Sequence, residues 1–383
     1  MSLLTRPSPS VESLRRNPEA PHRHLDWSIV ALALALALVG LATIFSATKG
    51  QGPTPYTGMV VRQMVALLLG LSLMAALAFI DYHKLREWAV LFYPATLGLL
   101  AGVLVVGQNV KGAQAWFAFG PFQLQPSEPA KLAFIVVLAA YLSAHRHQLS
   151  LGRVVVTLAL AAVPMALILA QPDLGTMLVF AVVSLTLLAV AGVRARHLAA
   201  LLLAGILGTV AVLNSDLLAQ YQRDRLLVFM EQASDQETGL AESYNVVQSE
   251  TAISLGGLTG QGWGKGPQTQ EGVVPEQQTD FIFTVVGEEL GFVGATVVLA
   301  LFLALALRVL RVAQLAKDDF GALLCCGVLA MVVFQVFENV GMSMRIMPVT
   351  GIPLPFLSYG GSSLLTTLAG MGIVLSVHTH RFR

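Results

Sequence analysis

Ten runs of apolar residues, most long enough to cross the ~30 Å hydrocarbon core of a bilayer as helices, decide what this chain can fold into. They lie at Trp27 to Ser46 and at about Met59 to Ile80, Trp88 to Gly107, Glu128 to Ser143, Val154 to Ala170, Leu174 to Gly192, His197 to Leu213, Asp280 to Leu310, Phe320 to Met344 and Phe356 to Val377. In lipid a backbone must satisfy its own hydrogen bonds, and runs of this length without alternation do so as helices. Only 12% of the residues are charged, against about 25% in soluble domains, so an ordinary soluble enzyme is excluded. The expected fold is an all-α polytopic membrane protein: ten transmembrane helices in a single domain over residues 26-383, after a disordered cytoplasmic tail at 1-25. Trp27 to Ser46 exceeds the core of a secretory signal and is expected to be retained. Cys325 and Cys326 sit together in an apolar run and read as membrane-buried thiols, with no disulfide or metal framework.

Lys and Arg near the ends of spans set their orientation. Arg15, Arg16 and Arg23, then Lys84 and Arg86, Arg146 and Arg153, Arg194 and Arg196, then Arg308, Arg311 and Lys317, and finally Arg381 and Arg383 all fall on one side of a ten-span arrangement. That side is cytoplasmic, both termini lie there, and the connection at 214-279 between the seventh and eighth spans faces outward.

That outer connection, roughly 65 residues, is far longer than ordinary loops, and such length marks function or disorder. Tyr221 to Met230 has charges on one side of a helical turn and apolar residues on the other, as expected for an interfacial segment. Ala241 to Leu255 reads as a second helix, and Gly256 to Gly266 is too rich in glycine for helix or strand. It is not an ATP-binding loop, because Gly266 follows Gly264-Lys265 where that motif needs Ser or Thr.

Ionisable residues in spanning runs are costly and so are functional candidates. Glu128 and Lys131 share a helix face behind Ser127, which is expected as the N-cap, with a capping carboxylate and a neighbouring ion pair as the bland alternative. Asp173 follows Pro172 between two apolar runs, and Asp280 opens the eighth span; plain helix capping is the alternative for each. Glu288, about two turns deeper, is placed on nearly the face of Asp280, and Glu289 stands beside it. Glu338, Asn339 and Arg345 repeat the pattern in the ninth span. Glu128, Lys131, Asp173, Asp280, Glu338 and Arg345 all map to outer helix ends, which predicts a polar chamber open to the outer leaflet and suited to an amphiphile with a lipid tail.

Asn339 to Ser363 is broken by prolines and glycines and offers the hydroxyls of Ser358, Tyr359 and Ser362 to a polar surface. The run Ser358-Tyr359-Gly360-Gly361-Ser362-Ser363 resembles the signature of the SEDS family (shape, elongation, division and sporulation). The likeness continues through Gln125 to Lys131, Gln171 to Thr176 and Pro275 to Gly291, and the ending Gly372 to Arg381 is similar to the elongation branch more than the division branch. Arg345 departs from the pattern, which has a small residue there.

The resemblance implies a peptidoglycan glycosyltransferase of the bacterial cytoplasmic membrane. It would polymerise lipid II with a class B penicillin-binding protein, a transpeptidase, as partner. It implies Asp280 as the catalytic carboxylate, with Trp116, Glu128, Lys131 and Asp173 as chamber residues and Ser358, Tyr359, Gly360 and Gly361 among those meeting substrate. In such a reaction a sugar 4-hydroxyl attacks an anomeric carbon with inversion, and an Asp, ionised at neutral pH, serves as general base. The leaving pyrophosphate calls for cations: Lys131, Arg223, Arg225 and Arg345, or a divalent ion such as Mg or Mn, for which no ligand spacing is present. The partner's membrane helix is expected on the eighth and ninth spans, where Gly287, Gly291 and Gly294 would soften the surface. A flippase for a lipid-linked precursor would use the same chamber but needs polar lining in the cytoplasmic half, where only Glu288 and Glu289 are expected. A non-catalytic scaffold would not need Asp280.

Overall fold

The computed structural model describes residues 25–49, 56–110, 113–119, 122–146, 150–213 and 241–381. The amino-terminal tail, the interfacial segment at 221–230, and with it Arg223 and Arg225, lie outside the described residues. The chain forms α1 (Trp27–Lys49), α2 (Tyr56–Phe79), α3 (His83–Val106), α4 (Ser127–His145), α5 (Leu151–Ala170), α6 (Leu174–Val190) and α7 (Ala195–Leu213). Within the long connection lie α8 (Ala241–Gly256) and α9 (Pro267–Glu271), and after it come α10 (Ile282–Gln314), α11 (Asp319–Ser343) and α12 (Gly361–His380). Eight of these helices are long and apolar enough to cross a membrane, and the shorter apolar α6 and α7 fall on the other two expected runs.

Two features depart from the sequence reading. Between α3 and α4 the chain forms an antiparallel sheet of β1 (Gln108–Val110), β2 (Ala113–Phe119) and β3 (Phe122–Leu124), ordered β1-β2-β3, so the fold is not purely helical. The last helix starts at Gly361, not Phe356, because Pro353 and Pro355 cannot donate to a helical ladder and Phe356 takes a left-handed φ of 65°.

Burial assigns each helix its place. In α12, 83% of the apolar window is buried, against 22% in α3, so α12 runs through the middle with α4 and α11 beside it. Helices α2, α3 and α5 expose Leu68, Leu69, Val90, Leu91, Val105 and Val155 outward, as a lipid-facing belt requires. Pro164 inside α5 has no N–H for the Leu160 carbonyl four residues back, and the Tyr93 hydroxyl of α3 donates to that oxygen at 3.0 Å.

One end of the bundle gathers the charged helix termini. Asp26 before α1 accepts from Arg308 of α10 at 2.6 Å. Asp318 caps α11 at Gly321 and accepts the Tyr82 hydroxyl, while Arg146 pairs with Asp319. These groups belong to the cation-rich side. The described part of the long connection, with α8 and α9, and the turn at Asp280 belong to the other.

α10 is broken at Gly291, whose φ of 65° and ψ of −166° are not helical. The glycine-rich run mends the break. Gln261 and Gly262 donate to the Glu288 and Glu289 carbonyls at 2.9 and 3.0 Å, while Phe292 and Val293 donate to the Gly257 and Leu258 carbonyls at 2.9 and 3.1 Å. A Cβ on Gly291 would sit 2.3 Å from the Gly260 nitrogen and one on Gly260 2.2 Å from the Glu289 carbonyl oxygen, which is why glycine meets glycine at this point of the splice.

Candidate active site

Asp280 stands in the turn before α10 rather than in the helix, whose N-cap is Phe281. Its backbone N–H donates to Glu276 at 3.0 Å, and its carbonyl accepts from the Asn339 side chain at 2.7 Å. Asn339, fully buried, spends its second amide hydrogen on the Ile352 carbonyl at 2.8 Å. Two residues earlier, the Gln278 carbonyl accepts from the Tyr359 N–H at 2.9 Å. The turn is thus held at alternate carbonyls by α11 and by the Ser358-Tyr359-Gly360 segment, and Asp280 itself is half-buried.

The other motifs reach the same place. Gln63 of α2 donates to the Ser358 carbonyl and accepts from the Gly360 N–H, both at 3.1 Å. The Ser362 hydroxyl donates to the Gln123 carbonyl and accepts from the Gln125 N–H, both at 3.3 Å. Gln125 donates to Asp173 at 3.2 Å, and the other Asp173 oxygen caps α6 by accepting from Thr176 at 2.9 Å. A Cβ on Gly175 would meet the Thr350 carbonyl at 2.8 Å, so α6 lies directly on the loop after α11. Trp116 stands half-buried on β2, paired with Gln108.

Several expected roles change. Ser127 begins α4 and Pro126 is its N-cap, without a side-chain bond. Glu128 and Lys131 form a buried ion pair at 2.7 Å, so the Lys131 charge is already balanced. The Ser358 hydroxyl is buried and accepts from the Leu354 N–H at 2.8 Å, holding its own turn instead of offering a group to a ligand. Arg345 points to the loop helix α8, pairing with Glu250 at 3.5 Å, and takes a left-handed φ of 62°. That conformation suits the small residue expected there.

Glu288 does not share the site of Asp280. It is fully buried against α9, accepting the N–H groups of Gln268 and Thr269 at 2.8 and 2.9 Å and the Thr269 hydroxyl at 2.6 Å. Gln277 continues this network from Thr269 to Thr284 at 3.1 and 3.0 Å, bracing the turn from behind. Glu289 accepts from Ser46 of α1 at 2.6 Å. Both carboxylates therefore belong to the loop side and not to the cytoplasmic half. Gly287 and Gly291 meet Ile253 and Gly260 of the loop, so they seat the connection and are no surface for a partner. Cys325 and Cys326 are free thiols, Cys325 buried.

Among the described residues no group of three or more His, Cys, Asp and Glu side chains could hold a metal ion. The described residues therefore offer no all-protein cage for the divalent ion expected from pyrophosphate chemistry.

Asp280, Gln125, Asp173 and the Ser358 to Ser362 segment, far apart in the chain, meet at one end of a polytopic helical membrane protein, and that architecture has known counterparts. A family model described as "Cell cycle protein", FTSW_RODA_SPOVE, matches residues 23–383. The chain is 38% identical over 360 residues to the peptidoglycan glycosyltransferase MrdB of Escherichia coli K12, covering 94% of each. It superposes with a TM-score of 0.79 and 35% identity on a chain from the structure described as "Structural coordination of polymerization and crosslinking by a peptidoglycan synthase complex", covering 94% of this chain and 99% of that one. The Thermus thermophilus rod shape determining protein RodA matches with a TM-score of 0.71 and 34% identity, covering 94% of this chain and 98% of that one. The fold and site define a SEDS-type membrane protein. The chain belongs to the FtsW, RodA and SpoVE family.

Proposed function

We propose that this chain, a peptidoglycan glycosyltransferase by its family, polymerises lipid II with Asp280 as general base at the outer face of the cytoplasmic membrane. The observation that carries the assignment is the double hold on the turn: Asn339 on the Asp280 carbonyl and Tyr359 on the Gln278 carbonyl. Of the other carboxylates here, Glu128 is buried in its ion pair and Asp173 has both oxygens engaged. Asp280 takes the proton from the acceptor sugar 4-hydroxyl as that oxygen attacks the anomeric carbon, and the lipid pyrophosphate departs with inversion. A base within hydrogen-bond reach of the hydroxyl contributes typically 10²–10⁴-fold. Gly360 and Gly361, half-buried in the segment that holds the turn, and Trp116, half-buried on β2, are assigned to the approach. A divalent ion would arrive with the pyrophosphate, since Mg²⁺ is commonly held by one or two carboxylates and substrate phosphates; no step above depends on it.

The class B penicillin-binding protein is the partner this reading implies, and the synthase complex matched above supports it. Both termini are placed in the cytoplasm, which the gathering of Asp26, Arg308, Arg146 and Asp319 at one end supports. The flippase reading loses its only deep carboxylates, because Glu288 and Glu289 are engaged by the outer connection and α1.

The test is polymerisation of lipid II by purified Asp280→Asn in detergent, where no two compartments exist. Turnover should fall at least about 100-fold with melting nearly unchanged, since Asn preserves the turn. A stable variant that builds glycan at near wild-type rate would exclude Asp280 as base. Wild-type protein that makes no polymer, with or without a transpeptidase partner, would return the chain to transport or scaffolding.

A further inference from the structure

We propose that Gln335, Glu338, Asn339 and Thr350 form a buried site for one monovalent cation of sodium size, directly behind the Asp280 turn. Gln335, Glu338 and Asn339 are all buried, with at most 1% exposure. Both Glu338 carboxylate oxygens, the Gln335 and Asn339 amide oxygens and the Thr350 hydroxyl lack a hydrogen-bond partner among the described residues. Gln335 stands one turn before both Glu338 and Asn339, so the three share one stripe of α11. Loop 350–352 covers that stripe: Asn339 donates to the Ile352 carbonyl, and Thr350 adjoins the Glu338 carboxylate without hydrogen-bond geometry. Gly175 of α6 closes the far side of Thr350.

Apart from the single Thr350 hydroxyl hydrogen, every unmatched atom in this cluster can only accept, so one donor faces several acceptors. A buried group of acceptors is stable only when something positive or donating lies among them. One carboxylate balances one charge, whereas a divalent ion would leave a net charge buried. Carboxylate, amide and hydroxyl oxygens select hard ions over transition metals. The cluster also lies near the carboxyl end of α11, where the helix dipole favours a cation. Because the Asn339 nitrogen holds the Asp280 carbonyl, an ion bound to the Asn339 oxygen would fix that amide's orientation.

Binding of ²²Na⁺ to the purified full chain in detergent, at constant ionic strength balanced with choline, tests this. Saturable binding of one ion per chain is expected, competed by unlabelled Na⁺ and not by equal Mg²⁺, and abolished in Glu338→Gln. The melting temperature should rise saturably with Na⁺ in the wild type and stay flat in the variant. Absence of saturable ²²Na⁺ on folded wild-type protein overturns the proposal whether or not the variant folds. So does undiminished binding in folded Glu338→Gln, or displacement by Mg²⁺ at lower concentration. A wild-type melting temperature that responds to pH but not to Na⁺ means that a proton neutralises Glu338, and the cation site is then refuted.

Discussion

The carboxylate of Glu288 holds both the backbone N–H of Thr269, at 2.9 Å, and its hydroxyl, at 2.6 Å, on one oxygen. The other oxygen takes the Gln268 N–H at 2.8 Å. A residue of α10 thereby fixes the start of α9, and through Thr269 and Gln277 the fixing reaches the turn that carries Asp280. In Glu288→Gln an amide NH₂ faces donors, and charge-assisted bonds worth about 1.5–3 kcal/mol each are weakened. The variant should melt several degrees lower and be cleaved faster by protease in 257–272. Wild-type melting and protease resistance would show that the network carries no stability.

Gly291→Ala meets two obstacles, a left-handed φ and a Cβ placed 2.3 Å from the Gly260 nitrogen. Relief requires parting the splice, so a loss of about 2–4 kcal/mol is expected, with polymerisation falling alongside. A control, Gly98→Ala in α3, places its Cβ where nothing lies within 4 Å and should be milder. Equal melting of the two variants would count against the splice.

Asn339→Leu keeps volume but removes both donors, leaving the Asp280 and Ile352 carbonyls without this partner. Turnover number should drop roughly tenfold, as one lost transition-state contact of about 1.4 kcal/mol implies, while the KM for lipid II changes less. A KM effect alone would assign Asn339 to substrate binding instead.

Burial pushes the pKa of Asp26 up, but the hydrogen bond and charge of Arg308, with the charge of His378, outweigh it and hold the carboxyl below its usual value. A depressed folded pKa contributes stability above the unfolded value and loses it as pH falls through the folded one. The melting difference between wild type and Asp26→Asn should therefore be constant from neutral pH to about pH 5 and shrink below about pH 4. Its plateau should be on the order of 1–2 kcal/mol, because Arg308 is one-third exposed. A difference that persists at pH 3 would contradict the pairing.

Helix positions were legible because long apolar runs in lipid leave the backbone few choices, and α8 was legible despite lying in the connection. The three strands escaped notice: Gln108 to Leu124 is short and mixed, and its pairing is set by α3 and α4 rather than by alternation. Asp280, Asp173 and the Ser358 to Ser362 segment were recognisable by likeness to a family. Their joining through Gln63, Gln125 and Asn339 was not, since neutral amides reaching distant carbonyls leave no periodic trace. Helical phase placed Glu288 with Asp280, but it could not foresee that α9 would fold back and claim that carboxylate. Arg345 stood out as a departure, and its left-handed backbone and reach to Glu250 give that departure a physical form.

The break at Gly291 also sets depth. From Phe292 to Leu307, the last residue before Arg308 at the cation-rich end, α10 rises only about 24 Å at 1.5 Å per residue, short of the ~30 Å hydrocarbon layer. The shorter piece from Ile282 to Leu290 must therefore complete the crossing from the far side of the break. Glu288 and Glu289 thus enter the edge of the apolar layer already clothed in protein donors, from Gln268, Thr269 and Ser46, that do there what water would do outside it.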